Sequence, residues 1–461
     1  MSLSTSECAT THAHPVATPR PADDLAALAR DAVLYTLPLF EMARSRATTC
    51  PRRDDGGQFA GESPDSTLCW LNRLMRDRQL LGPQHRKVVT PNNDTLYISA
   101  WLDVGDAPLL MTVPDTADRY YVLGLLDFYT NPFNSIGTRT TGNGAGKFLL
   151  YHRDTPLPAD IDLTDITPIA CPTRDVWMIG RVLVDGPQDL PAVHALQDRF
   201  RLTTIDGGPA QRRFDVGMER SETASDARRY AEVVNAALLR NPPPAAEHAY
   251  VGRFAAVGIG TGFDASTSAV PDEDAFAALG AALEAVIAEL DVPHPSALGG
   301  GWFLPVEVRD SFGDDYFARA HVCWNYIGAL GIEEAMYFSA DCDSEGRPLD
   351  GRHAYELTFA PGGLPQAQAF WSLTMYDKAS CMLVDNVIDR YSIGDRSAHL
   401  RYDEAGLTLR LSAQAPRDAA LQCNWLPAPA APFYVTLRVY IPGAAHLEQR
   451  FSWPPIRRIE S

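Results

Sequence analysis

Thr90-Pro91-Asn92-Asn93-Asp94-Thr95-Leu96-Tyr97 gathers three amide or carboxylate side chains, two hydroxyls and a phenol ahead of a strand-like run. Asn and Asp favour turns because their short side chains bond the nearby backbone and tolerate left-handed conformations. Three in succession exceed what a turn needs, which makes the segment a candidate binding site at the mouth of a sheet. A second group, Phe370-Trp371-Ser372-Leu373-Thr374-Met375-Tyr376-Asp377, lies towards the C-terminus. If the two groups face each other across a cleft, Asp94 or Asp377 would act as general base or acid and Tyr97 or Tyr376 as proton donor. Asn92 and Asn93 would then hold a polarised oxygen. The matching reactions are hydrolysis, elimination, hydration or isomerisation of a small organic molecule. The competing reading is structural, with the asparagines locking a turn.

Strand alternation puts Asp127 on the same face as Leu123 and Leu125, and Asp377 on that of Leu373 and Met375. A carboxylate beside apolar surface must be paired, hydrogen-bonded or neutralised. Each aspartate therefore either caps a turn or opens into a pocket where a raised pKa suits proton transfer. Tyr129, Asn131, Arg139, Asn386 and Trp425 join Asp127 as candidate ligand contacts. So does Arg438, which lies between Tyr434 and Tyr440 on the polar face of its strand and could bind a carboxylate. Arg139, Arg181, Arg390 and Arg396 share this choice between ligand and structure, and a structural ion pair is the better reading for each. A non-catalytic sugar- or metabolite-binding protein is the alternative, in which Trp101, Trp371, Trp425 and Trp453 would supply stacking faces.

Familiar cofactor signatures are missing. No GxxxxGKS/T, HExxH or GxSxG occurs. Gly142-Asn143-Gly144-Ala145-Gly146 runs into a strand-like segment instead of opening a helix, so it reads as a hairpin turn and not as a phosphate cradle. Gly258-Ile259-Gly260-Thr261-Gly262 leads into a Ser/Thr/Asp linker and is read likewise. The 11 histidines show no metal-ligand spacing, His12 and His14 falling in the N-terminal segment. No cofactor and no zinc site are expected, and an oxygen-ligated metal held by Asp and Asn stays open as the alternative.

The elements that would carry these residues come in blocks. Residues 1–20 read as a disordered tail. Asp23 and Asp24 resemble a helix N-terminus ahead of Leu25, Leu28, Val33, Leu34 and Leu37, and Pro38 should end or kink that helix. Alternating segments with turn residues then run from Leu96 to about Val184. Helices are predicted over 189–201, Asp226–Leu239, Asp274–Leu290 and Asp314–Leu330, with Gly299-Gly300-Gly301 as a joint. Strands return at His353–Phe359, Ala369–Tyr376, Leu407–Leu411 and Phe433–Ile441. Segregated blocks indicate α+β: two β-rich, sandwich- or jelly-roll-like domains with a helical region between. The expected limits are 21–205 for the first helix and β-rich domain, 206–332 for the helices, and 333–461 for the second β-rich domain.

The net charge of −18, from 58 acidic and 40 basic residues, argues against nucleic acid or an anionic membrane as partner. A small molecule is the expected partner, and a homo-oligomer is compatible with this composition. The 8 cysteines are scattered without a CxxC pair and read as reduced thiols. Without an evident signal peptide or an apolar run of about 18 residues, the expected location is the cytoplasm.

The chain resembles a bacterial and fungal family that joins two domains of unknown function, numbered 1254 and 1214. The first match rests on Thr90–Tyr97, Val113-Pro114-Asp115, Arg119-Tyr120-Tyr121 and Ser135-Ile136-Gly137-Thr138-Arg139-Thr140. The second rests on Phe370–Asp377, Leu383-Val384-Asp385-Asn386, Arg390-Tyr391-Ser392-Ile393-Gly394-Asp395-Arg396, Asn424-Trp425-Leu426-Pro427-Ala428-Pro429 and Trp453-Pro454-Pro455. The resemblance implies two β-rich domains and an intervening helical region; it supplies no mechanism. Many members of that family carry an export signal, which is not evident here.

Overall fold

A computed structural model describes residues 25–50, 68–85, 89–157, 159, 161–205, 212–215, 226–260 and 271–459. The expected tail, with His12 and His14, lies outside them. Helix α1 (Leu25–Thr49) is buried on nearly every side from Ala29 to Ala47, as a helix at the centre of a layer must be. It continues through Pro38, whose missing N–H costs one helical bond inside an otherwise well-packed apolar segment. Around it pack α2 (Ala227–Arg240), α3 (Glu273–Leu290) and α4 (Tyr316–Tyr326). Each begins at an aspartate that accepts a backbone N–H three residues on: Asp226 from Arg229, Asp272 from Ala275 and Asp315 from Ala318.

The first β-domain stacks a five-stranded sheet on a four-stranded one. The larger sheet is ordered Met75–Arg76, β1 (Thr95–Asp103), Asp175–Leu183, β2 (Tyr121–Asp127) and Asn134–Gly137; Asp175–Leu183 is β3 in chain order. Leu96, Ile98, Leu123 and Met178 on its inner face meet Met111 and Phe148 of the smaller sheet in one core. The second β-domain repeats the plan. Strands β4 (Ala335–Ala340), β5 (Ala367–Asp377) and β6 (Phe433–Pro442) lie in a six-stranded sheet, packed through Phe338, Leu373 and Leu437 on a four-stranded sheet that carries Leu357 and Leu409. The chain is thus α+β, with mostly antiparallel sheets and no closed barrel.

Two boundaries differ from those drawn on sequence blocks. α1 joins the helical layer, and residues 296–304 join the second β-domain, because Gly299-Gly300-Gly301 is a hairpin turn and not a joint. All three glycines have positive φ (89°, 63° and 94°), which brings Ser296–Gly299 back onto Trp302–Leu304. The outer faces of the five- and six-stranded sheets then meet at Tyr120, Val122 and Leu183 from one side and Ala335, Phe370 and Tyr440 from the other. This seam holds the candidate site.

Candidate functional site between the two sheets

The segment before β1 crosses from one domain to the other and is clamped there. Thr90 takes φ 51°, which turns its N–H to the Cys381 carbonyl (2.8 Å) and its own carbonyl to Arg438 Nη2 (2.9 Å). The Pro91 carbonyl accepts from the Tyr376 hydroxyl at 2.7 Å. Asn92 Oδ1 accepts the Asp94 N–H at 2.6 Å, and its Nδ2 donates to the Tyr440 hydroxyl at 2.6 Å. Asp94, 6% exposed, accepts from the Ser372 hydroxyl (2.6 Å) and the Ser392 hydroxyl (3.3 Å), with Arg396 at 3.8 Å. Asn92, Asn93, Asp94, Tyr97, Tyr376 and Arg438 are therefore brought together at one seam. Arg139 stands at its rim, held by Glu334 (2.7 Å) and Glu333 (3.0 Å).

The remaining candidates lie elsewhere and are occupied in turns. Asp377 accepts from the Ser380 N–H (2.8 Å) and hydroxyl (2.7 Å), on the opposite face of β5 from Tyr376. Asp127 accepts from the Tyr129 N–H and from both the N–H and side chain of Asn131, each at 2.9 Å. Burial pushes its carboxyl up while the Asn131 donors oppose the shift. The Tyr129 hydroxyl donates to the Asn241 carbonyl, towards the helical layer. Asn386 accepts from the Arg390 N–H at 3.1 Å, and the Trp425 indole donates to the Ser412 carbonyl at 2.9 Å.

Arg181, which the sequence offered as an ion-pairing arginine, and Tyr337 complete the seam, and Asp77 lies at the edge of its first sheet. Pairing places Tyr97 opposite Arg181 on the outer face of one sheet and Tyr337 opposite Arg438 on the other. Arg181 is 6% exposed; its guanidinium lies over the Tyr97 ring at 5.3 Å, and its Nη2 donates to the Gly328 carbonyl at 3.1 Å. Its Nη1 has no partner among the described residues, and no carboxylate of theirs forms an ion pair with it. Asn93 Oδ1, Thr95 Oγ1 and Arg396 Nε are also buried without a partner. The hydroxyls of Tyr97 and Tyr337 make no hydrogen bond to a described residue, and both side chains are partly exposed together with Ile179. Tyr97, Tyr337 and Ile179 thus reach solvent, whereas Arg181 Nη1 itself is sealed from it.

Burial opposes the charge on Arg181, whereas the phenol oxygens of Tyr337, Tyr97, Tyr440 and Tyr120 favour it, so the guanidinium stays cationic. Burial likewise pushes Tyr440 and Tyr120 upwards and keeps both phenols protonated. Asp77, like Tyr337, carries no signal in the sequence. Its N–H donates to the Tyr97 carbonyl at 3.0 Å, continuing the pairing of Met75 with Ser99 and setting Asp77 beside Tyr97 at the sheet edge. Burial raises its carboxyl to about 6. A buried cation with no counter-ion among the described residues, flanked by phenol hydroxyls, has the chemistry to accept an oxyanion. Among the described residues no cluster of three or more His, Cys, Asp or Glu is arranged to hold a metal. No described helix is long and apolar enough to cross a membrane.

Comparison with known proteins agrees with the two-part architecture. The family model described as protein of unknown function DUF1254 matches residues 71–204, and that of DUF1214 matches 334–444. No curated protein matches the chain. The crystal structure of the VPA0106 protein from Vibrio parahaemolyticus is similar in fold, with 23% identity and a TM-score of 0.69 over 95% of this chain and 100% of that one. A putative uncharacterized protein from Burkholderia cenocepacia aligns over 95% of this chain and 94% of its own, at 12% identity and a TM-score of 0.41.

Proposed function

We propose that this chain, which belongs to the family joining domains of unknown function 1254 and 1214, binds a small organic anion between its two β-domains. The anionic group sits against Arg181, between the hydroxyls of Tyr97 and Tyr337. The observation that carries this is the buried Arg181 guanidinium with an unpartnered Nη1 and no carboxylate paired to it. Leaving a buried cationic donor unsatisfied costs roughly 1–3 kcal/mol or more, which an incoming carboxylate or phosphate oxygen would recover on binding. Arg438 does not offer the same opportunity, since Thr374 and Thr90 already occupy its Nη1 and Nη2.

Mass spectrometry of small molecules released by denaturing the purified protein tests the proposal. An anionic molecule released by wild type and absent from Arg181→Met supports it; the same molecules released in equal amount by both proteins would overturn it.

Asp77 favours a second reading, in which the bound anion is also turned over by acid–base chemistry. A carboxyl raised to about 6 beside Tyr97 exchanges protons near neutral pH. The aspartates singled out by sequence are less suited, because Asp94 is bound by two serines and Asp377 caps a turn. On this reading Asp77→Asn keeps the ligand and abolishes its turnover. Turnover that survives in Asp77→Asn would remove the second reading and leave the first intact.

A further inference from the structure

Away from the seam, a cavity of about 210 Å³ opens between α4 and the segment 294–312. Its deep walls are the buried Leu304, Phe312, Val322 and His321, and its mouth carries the exposed His294, Ser296 and Arg309. Four rings converge on it. His294 meets His321 with centroids 5.6 Å apart, and Phe317 stands 5.9 Å from His294 and 6.3 Å from His321. His321 is 7% exposed, yet neither imidazole ring makes a hydrogen bond among the described residues. Arg309 is engaged by Glu307 at 3.3 Å, which leaves the two imidazoles and the Ser296 hydroxyl as the open polar side chains of the lining among the described residues.

We propose that this cavity is a separate binding site for a monocyclic aromatic molecule bearing a hydroxyl group. An apolar cavity of about 150 Å³ is large enough for benzene, so this one has room for a substituted ring. Phe317 and His294 offer edge and face contacts to such a ring. The buried His321 gives its hydroxyl a partner, and the pairing satisfies an imidazole that the protein leaves open. Burial, reinforced by the neighbouring His294, pushes the His321 pKa down and keeps the ring neutral. A neutral imidazole has one nitrogen that accepts a hydrogen bond from a hydroxyl and one that donates. Sugars fit poorly, because the floor would strip their hydroxyls of water without replacing the lost bonds.

The test is a titration of the full chain with 4-fluorophenol and with fluorobenzene, followed by ¹⁹F NMR. Wild type should bind 4-fluorophenol saturably at one site and prefer it to fluorobenzene. His321→Leu should lose about tenfold in affinity for 4-fluorophenol and little for fluorobenzene, the loss expected for one hydrogen bond in a desolvated site. Ala318→Phe, which fills the cavity from α4, should abolish both. Circular dichroism confirms that each variant is folded. Should His321→Leu fail to fold, His294→Leu at the exposed mouth and Ala318→Phe carry the comparison. No saturable binding of 4-fluorophenol to wild type, or equal affinity in Ala318→Phe, overturns the proposal.

Discussion

Arg181 is a residue whose removal should leave the fold as stable as before, or more so, while destroying its use. A buried ion without a counter-ion is often replaced by an apolar side chain at no cost, because desolvation outweighs the few bonds it makes. Thermal denaturation of ligand-free Arg181→Met should therefore show stability within about 1 kcal/mol of wild type, or above it. His446 predicts a pH effect of definite sign. It is 1% exposed, accepts the Gln366 N–H at 3.0 Å, and burial lowers its pKa to about 4. A base depressed in the folded state favours folding above its unfolded pKa, near 6.5, and withdraws that support as pH falls towards 4. Denaturation at pH 7.5 and pH 5 should show wild type losing about 2 kcal/mol through this group. His446→Gln, which does not titrate, should not lose it. At this scale the sequence told half the story. Asn92, Asn93 and Asp94 do mark the seam, because three Asx residues in a row are a local signal. Arg181 and Tyr337 sit in ordinary strand alternation, and Asp77 acquires its raised pKa only from burial.

At the scale of elements, α1 is fastened to the first sheet by charge as well as by apolar contact. Arg46 meets Asp175 at 2.9 Å, each 1% exposed, and Arg240 of α2 reaches the same carboxylate at 2.6 Å. Removing the shared acid takes from the buried Arg46 the carboxylate it meets at 2.9 Å, while Arg240 keeps Asp103 at 2.8 Å. Asp175→Ala should thus destabilise the protein by about 3–5 kcal/mol, or prevent folding, as denaturant titration would show. Helix starts were legible to within two residues, because an aspartate N-cap is a short-range signal: Asp226 caps its helix as read, whereas Asp272 and Asp315 cap where Asp274 and Asp314 were expected. Strand partners were not. The pairing of residues 296–304 with β4 depends on a glycine hairpin and on a surface contributed by residues far along the chain.

At the scale of the whole molecule, the sequence signal was misleading for a physical reason. Tyr434, Thr436, Arg438 and Tyr440 alternate with Phe433, Val435, Leu437 and Val439, a pattern that ordinarily describes one buried and one solvated face. Here the polar face is buried too, against the other domain: Thr90 meets Tyr434 and Arg438, Asn92 meets Tyr440, and on the neighbouring β5 Pro91 and Asp94 meet Tyr376 and Ser372. Such coupling predicts that the two β-domains unfold together. Calorimetry should give one transition, and Arg438→Met, which frees the Thr90 carbonyl and the Thr374 hydroxyl, should move that single transition down instead of splitting it. An early transition confined to one domain would show the seam to be a loose contact.

On the proposed function, the seam receives an anion on Arg181. Calorimetric titration of wild type and Arg181→Met with a panel of small carboxylates and their neutral amides tests it most directly. At least one carboxylate should bind wild type, its amide should bind at least about tenfold more weakly, and Arg181→Met should bind neither form measurably. Acid and amide bound alike, or carboxylate binding that persists in Arg181→Met, would contradict the account.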